Sequence, residues 1–505
     1  MRKLLAPCVL MLAILACNFP TTTVGGATAV LVISSPESTP LGATVPAPTL
    51  PATRDPSVPL ASPTPDSAHS LPTVRGDYIE YQVQPYDFLS SIAVKFGVTL
   101  EELIAANNLA DPNQLEVGQT LLIPPQSPAE IGPDFKIIPD SELVNSPYAL
   151  FFDVGAFVDA QPGYLKQHRE EVDQRFMSGA QIVQRVASEY SVNPKLLLIV
   201  LEYQSGWLSD PNPRTSTLEF AMGVTDSWRS GLYRQLSWAA DNLNKGYYDW
   251  KSGMTSGWKL TDASFVPAAA TINPGTAGVQ YLFSLLYAQD EWRHAVSEGG
   301  VFAIYNRMFG YPFDLVLDPL LPADLAQPTM QLPFEKGVPW VFSGGPHGGW
   351  GNGSAWAALD FAPRGEMLGC NQSEDWVVAA VDGLIARADN GAVVQDLDGD
   401  GYEQTGWTIL YMHVAPEGRV QVGQIVKAGE RIGHPSCEGG VATATHLHLA
   451  RRYNGEWIPA SGALPFVLDG WISTSNGLLY DGVMRRDGLS VEACECRDPT
   501  HMLQR

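Results

Sequence analysis

Residues 18–75 constrain this 505-residue chain more than any other stretch, because 11 Pro, 10 Thr and 7 Ser fill 28 of the 58 positions and no aromatic follows Phe19. Such text cannot bury enough apolar surface to offset the entropy lost on ordering it. Residues 17–76 therefore read as a disordered linker. Proline stiffens it toward extended polyproline geometry, about 3.1 Å per residue, a reach on the order of 100 Å or more. The remaining text, about 430 residues, predicts two to four domains at roughly 100–200 residues each. Charge narrows the partners: 31 Lys+Arg against 54 Asp+Glu give −23. A surface of that sign repels phosphate backbones, and no basic patch interrupts it, so nucleic acid is not expected as a partner.

The amino terminus reads as an address. Met1-Arg2-Lys3 precedes an apolar run, Leu4 to Ala16, too short to span a bilayer as a mature helix, so residues 1–16 form a secretory signal. Ile14-Leu15-Ala16-Cys17 resembles the bacterial lipobox, although Leu15 stands where that pattern prefers a small or β-branched residue. The resemblance implies lipidation at Cys17 and a membrane anchor; simple cleavage and secretion is the alternative. Export would place Cys370, Cys437, Cys494 and Cys496 in an oxidising compartment. Cys370 with Cys437 is the preferred pair, since both fall in one expected domain. Cys494 and Cys496 are too close in sequence for an easy mutual bridge.

Residues 77–125 alternate, turn helical and alternate again. Apolar positions 88, 89, 92, 93 and 96 form a helical stripe ended by Gly97, and Thr99 with Glu102 forms a capping box for a second helix. The text Tyr81, Val83, Asp87, Leu89, Ile92-Ala93, Phe96-Gly97, Leu103, Asn107 and Leu115 to Pro124 resembles the LysM family. That resemblance implies a small βααβ module that binds N-acetylglucosamine-containing glycan, most readily peptidoglycan, through a loop near Asp87 and Asn107. Tyr86 departs from the family's usual Gly. A LysM fold serving only as a spacer is the alternative.

Residues 126–325 predict a mostly helical domain, with helices over 179–189, 194–203, 232–243 and 277–289. The text from Asn193 to Trp207 resembles lysozyme-like soluble transglycosylases, in which a catalytic Glu precedes Ser-Gly-aromatic. Here Gln204 occupies that position, and Gln cannot protonate a glycosidic oxygen. Glu202 is the nearest acid, but two helical positions differ by about 200° in direction. The domain is therefore either non-catalytic, gripping glycan at most, or uses Glu202 in a reshaped groove. Six tryptophans (207, 228, 238, 250, 258 and 292) read as core before sugar platforms.

Residues 326–470 turn to Gly-rich loops and short β-branched runs, predicting an antiparallel all-β domain. Five of the nine histidines (347, 413, 434, 446 and 448) fall here. In His446-Leu447-His448 both imidazoles point to one sheet face, about 6.5–7 Å apart. A catalytic zinc takes three protein ligands, drawn from His and carboxylate where thiolates are absent, and keeps one open position. His347, Asp360 and His448 are the candidates. Gly344-Gly345-Pro346-His347, Ala358 to Ala362, Val381-Asp382-Gly383, Leu410 to His413, Val422 to Gly433 and Thr445 to His448 resemble the lysostaphin- and β-lytic-type zinc endopeptidases. The resemblance implies one Zn2+ held by His347, Asp360 and His448, with His446 and His413 positioning water and stabilising the oxyanion. The long insertion between His347 and Asp360 follows the β-lytic branch, and His434 is the rival histidine, read as a loop residue. Asp396-Leu397-Asp398-Gly399-Asp400-Gly401 resembles half a calcium loop but has Trp407 where the twelfth-position acid belongs, so it reads as a hairpin turn and not a Ca2+ site. Residues 471–505 carry no usable motif and read as an extension.

The expected chain is multidomain: a βααβ LysM module, a helical lysozyme-like middle domain and an all-β peptidase domain. The expected function is hydrolysis of peptide bonds in peptidoglycan by an exported zinc endopeptidase. The alternative is a non-enzymatic peptidoglycan-binding lipoprotein or scaffold with degenerate hydrolase domains.

Overall fold

A computed structural model describes residue 49 and residues 77–505, apart from 85–86, 97, 110, 112–114, 126–129, 318, 366–368, 372 and 497. The signal, Cys17 and all of the linker except residue 49 lie outside the described residues, as do Tyr86 and Gly97. No helix among the described residues is long and apolar enough to cross a membrane.

The first module is a βααβ unit. Strands Ile79–Gln82 and Thr120–Ile123 pair antiparallel around helices Leu89–Phe96 and Leu100–Asn107. The capping box closes in both directions: the Glu102 amide donates to Thr99 Oγ1 at 3.1 Å and the Thr99 amide to Glu102 Oε2 at 2.8 Å. Val83, Leu89, Ile92, Leu103, Leu121 and Ile123 form its core.

The middle region is helical where its periodicity demands it. Ser178 and Gln181 cap Gly179–Tyr190, and Asn193 caps Pro194–Ser205, in which every residue from Pro194 to Glu202 is buried. Leu232–Lys251 and Pro274–Ser284 pack alongside. Trp207, Trp250, Trp258 and Trp292 are core; Trp228 is exposed.

The carboxy-terminal region is a nine-stranded antiparallel sheet. Its order is Ile425–Val426, Gly383–Asp389, Ala392–Asp396, Trp407–Met412, Leu447–Tyr453, Ala358–Ala362, Trp340–His347 and Met502–Leu503, with Glu456–Trp457 beside Leu447–Tyr453. Strand alternation sorts its two faces. Leu447 and Leu449 enter one core with Leu359, Phe361 and Tyr411. Ala450 faces the other way and joins Ala358, Val394 and Leu410 in the core of the helical domain. His448 and Arg452 share that second face. Arg452 and Arg387 both bind Glu403 there, at 2.6 Å each, and burial opposed by the two guanidiniums brings the Glu403 carboxyl down to about 2.

Residues 471–505 are part of this domain and not an appendage. Val467–Leu468, Trp471–Ser475, Gly482–Arg486 and Leu489–Glu492 form one sheet that runs through position 470, and Met502–Leu503 pairs with the start of the His347 strand. The expectation for Cys494 and Cys496 is also corrected, because the two are bridged. The turn between them sets their Cα atoms 5.1 Å apart, within the range a disulfide spans.

Candidate metal centre

Three neighbouring strands deliver the candidate ligands. His448 lies opposite Asp360 in register, and Asp360 lies opposite Gly344. The His347 strand carries an extra residue at each of two register shifts, Phe342/Gly344 and Gly344/His347, and these bulges re-aim His347 toward the carboxylate. Gly344 has no Cβ for a reason: one would stand 2.8 Å from Asp360 Oδ2.

The three side chains meet at nearly equal distances. His347 Nε2 and His448 Nδ1 are 3.0 Å apart, and each is 3.2 Å from Asp360 Oδ1. The other nitrogen of each ring is committed. His347 Nδ1 donates to Gly345 O at 2.8 Å and His448 Nε2 donates to Gly349 O at 3.0 Å. Each carbonyl takes the ring's single proton, so Nε2 of His347 and Nδ1 of His448 present lone pairs. Asp360 Oδ1 is buried without a hydrogen-bond partner. With the rings in these tautomers, three acceptors converge on one point, an arrangement a cation satisfies.

Electrostatics agree. Burial works against charge on Asp360, yet the imidazoles of His347, His448 and His446 hold its carboxyl well below the usual range. Burial opposes charge on His347 and on His448 too; Asp360 nevertheless raises the first, whereas the second stays lowered.

His413 and His446 complete the cluster, with ring centroids 4.5 Å apart and His413 6.1 Å from His448. His413 Nδ1 donates to Glu438 O at 3.1 Å and His446 Nδ1 to Ala444 O at 2.7 Å. Every one of the four imidazoles is therefore oriented by a backbone carbonyl. His413 occupies a left-handed backbone conformation, φ 65°, a strained setting for a non-glycine residue. Burial and the neighbouring histidines bring its pKa down to about 3, which keeps it neutral near pH 7. Cys370 and Cys437 are bridged beside this pair. Glu438 follows one cysteine, and Gly369 O, preceding the other, accepts the Thr445 amide at 3.0 Å.

The remaining candidates lie elsewhere. His434 donates to Asp375 O at 2.9 Å and packs on Trp376, apart from the cluster. Asp396 ends strand Ala392–Asp396, and Asp398 and Asp400 lie in the 397–406 hairpin loop that follows; Asp396 accepts the Asp398 and Gly401 amides, and Asp400 accepts the Tyr402 amide. Glu202 accepts the Leu208 and Ser209 amides and the Ser209 hydroxyl, so it holds a turn. Gln204 accepts from the Tyr287 hydroxyl and donates to Met222 O. In the first module, Asp87 accepts from Tyr81 Oη and the Gln84 amide, and Asn107 clasps Leu122 through both its amide atoms. One neighbour of the site escaped sequence reasoning altogether: Tyr480 stacks on His347, centroids 4.1 Å apart, and exchanges backbone bonds with Gly345 and Pro346. It lies on a hairpin with no motif to announce it.

Comparison with known proteins matches three regions of the chain. Residues 81–124 match the LysM domain, 136–322 the LasA N-terminal domain, and 363–459 peptidase family M23. Protease LasA of Pseudomonas aeruginosa (strain UCBPP-PA14) is 28% identical over 323 residues, covering 59% of this chain and 71% of that protein. The N-acetylmuramoyl-L-alanine amidase XlyA of Bacillus subtilis is 42% identical over 69 residues, 14% of this chain and 23% of that one. Among solved structures, the deep-sea M23 metalloprotease pseudoalterin is 25% identical with a TM-score of 0.27, covering 33% of this chain and 96% of that one. The lysostaphin catalytic domain of Staphylococcus simulans is 25% identical with a TM-score of 0.17, covering 25% and 89%. The chain therefore combines a LysM domain, a LasA-type amino-terminal domain and an M23 peptidase domain.

Proposed function

We propose that the protein is a zinc-dependent endopeptidase that hydrolyses peptide bonds of peptidoglycan and is brought to the wall by its LysM domain. The observation that carries this reading is the convergence of two imidazole lone pairs and an unpartnered buried carboxylate oxygen. Zinc bonds to nitrogen and oxygen at about 2.0–2.1 Å, and a tetrahedron of that size has edges of about 3.3–3.4 Å. The edges here, 3.0 and 3.2 Å, come close to that, and His-Asp-His is a donor set of the right chemistry. His347, Asp360 and His448 would hold the ion. When bound, zinc supplies Lewis acidity at the scissile carbonyl and brings the pKa of water toward 7.

The chain's own residues supply the rest. Neutral His413 has an unprotonated Nε2 and its ring lies 4.5 Å from that of His446, whose Nε2 is 3.8 Å from Asp360 Oδ1. An unprotonated Nε2 of the pair would accept the proton of the attacking water; once protonated, that nitrogen is the donor available to the oxyanion, and it returns the proton to the leaving amine. The LasA-type domain is read as non-catalytic, since Glu202 is committed to its turn and Gln204 replaces the expected acid. Export, and anchoring through Cys17, are proposed on the amino-terminal text alone. Digestion of purified peptidoglycan tests the reading: it predicts new amino groups with no new reducing or anhydro-sugar ends. Sugar ends without amino groups would overturn it.

A further inference from the structure

We infer that the helical domain is a working part of the metal centre, with Asp241 as a positioning residue for His448. This rests on the reading of His347, Asp360 and His448 as metal ligands. The link is the glycine-rich loop 348–357 between the first two of these. Its far side is fitted to helix Leu232–Lys251. A Cβ on Gly353 would stand 1.8 Å from the Asp241 carbonyl oxygen, and one on Gly351 would stand 2.3 Å from Asp241 Oδ1. Only glycine permits that approach, and the approach places the Gly353 amide 2.8 Å from Asp241 Oδ1, to which it donates.

The near side of the loop holds the ligand. Gly349 O takes the Nε2 proton of His448, the bond that leaves Nδ1 free to face the ion. Two internal bonds, from Gly349 N to Ala355 O at 3.2 Å and from Trp350 N to Ser354 Oγ at 3.1 Å, join the two sides into one unit. Trp457 supplies a second route. Its ring closes on Gly349, where a Cβ would lie 2.5 Å away, while its indole donates to Tyr190 O and its amide to Tyr248 Oη. Both routes start in the helical domain and end on the carbonyl that orients His448.

Loss of an outer partner of a metal ligand typically weakens metal binding about 10–100-fold. The test uses the full chain and zinc, with affinity read by competition against a chromophoric chelator and folding read by circular dichroism. Asp241→Ala should bind zinc at least about 10-fold more weakly than wild type. Asp241→Asn should bind zinc more tightly than Asp241→Ala, because its amide oxygen still accepts from Gly353. Wild-type affinity in folded Asp241→Ala overturns the inference. Should that variant fail to fold, Asp241→Glu, one methylene longer, replaces it: binding weaker than in Asp241→Asn supports positioning, and equal binding overturns it. His448→Ala separates the two readings. Undiminished zinc binding in that variant refutes the metal site itself, whereas lost binding there with full binding in Asp241→Ala refutes positioning alone.

Discussion

Gly344→Ala tests the geometry of the centre without replacing a ligand. The new Cβ would stand 2.8 Å from Asp360 Oδ2 and 3.1 Å from Asp360 Cβ, where ordinary contact begins at 3.4 Å. Gly344 lies in a strand and its φ is not positive, so backbone strain adds nothing. The carboxylate must retreat by about 0.6 Å or the bulge must open, and metal–ligand distances tolerate only about ±0.2 Å. Zinc affinity should fall about 10–100-fold, or 1.4–2.7 kcal/mol, while the apoprotein loses about 1–3 kcal/mol from overpacking. Chelator competition and denaturant unfolding of the apoprotein separate the two effects. Undiminished zinc affinity in Gly344→Ala would refute Asp360 as a ligand in this geometry.

Three further outcomes are expected. His413→Ala and His446→Ala should each retain zinc but lose about 10²–10⁴ in kcat, since they act on protons and not on the ion; loss of metal in either would reassign it as a ligand. Acidification should destabilise the apoprotein through His413. Its folded pKa, brought from 6.5 to about 3, lets the unfolded chain take up a proton first, so stability is full above pH 6.5 and is lost as pH falls toward 3. About 2 kcal/mol should vanish by pH 5, and His413→Asn should remove that part of the slope in urea titrations. Replacing Cys370 and Cys437 by Ser opens a loop closed across 67 residues and should cost up to about 4 kcal/mol. It should also lower kcat more than zinc affinity, because the bridge adjoins the segments that hold His413 and His446; equal losses in both would contradict that division.

Much of this architecture was legible because its signals are local. The Thr99–Glu102 capping box, the stripe in Gly179–Tyr190 and the all-buried run from Pro194 need no distant partner to be read. The metal set was legible by another route, the resemblance of six short blocks, with period-two geometry placing His446 and His448 on one face. What stayed hidden depends on tertiary contact. The bulges that aim His347 and the sheet running through position 470 have no compositional mark. Tyr480 is one aromatic in a hairpin. The Cys494–Cys496 bridge depends on a turn that spacing alone does not reveal. Nor does the text of loop 348–357 show that two of its glycines, Gly351 and Gly353, mark where a helix presses closest.

The central claim is that one metal ion, held by His347, Asp360 and His448, makes this chain a wall peptidase. Its most direct measurement is a titration of chelator-treated full-length protein with zinc while amino groups released from purified peptidoglycan are counted. Activity should rise linearly and saturate at one equivalent, with His448→Ala inactive at every ratio. Full activity in metal-free protein, or in His448→Ala, would contradict it.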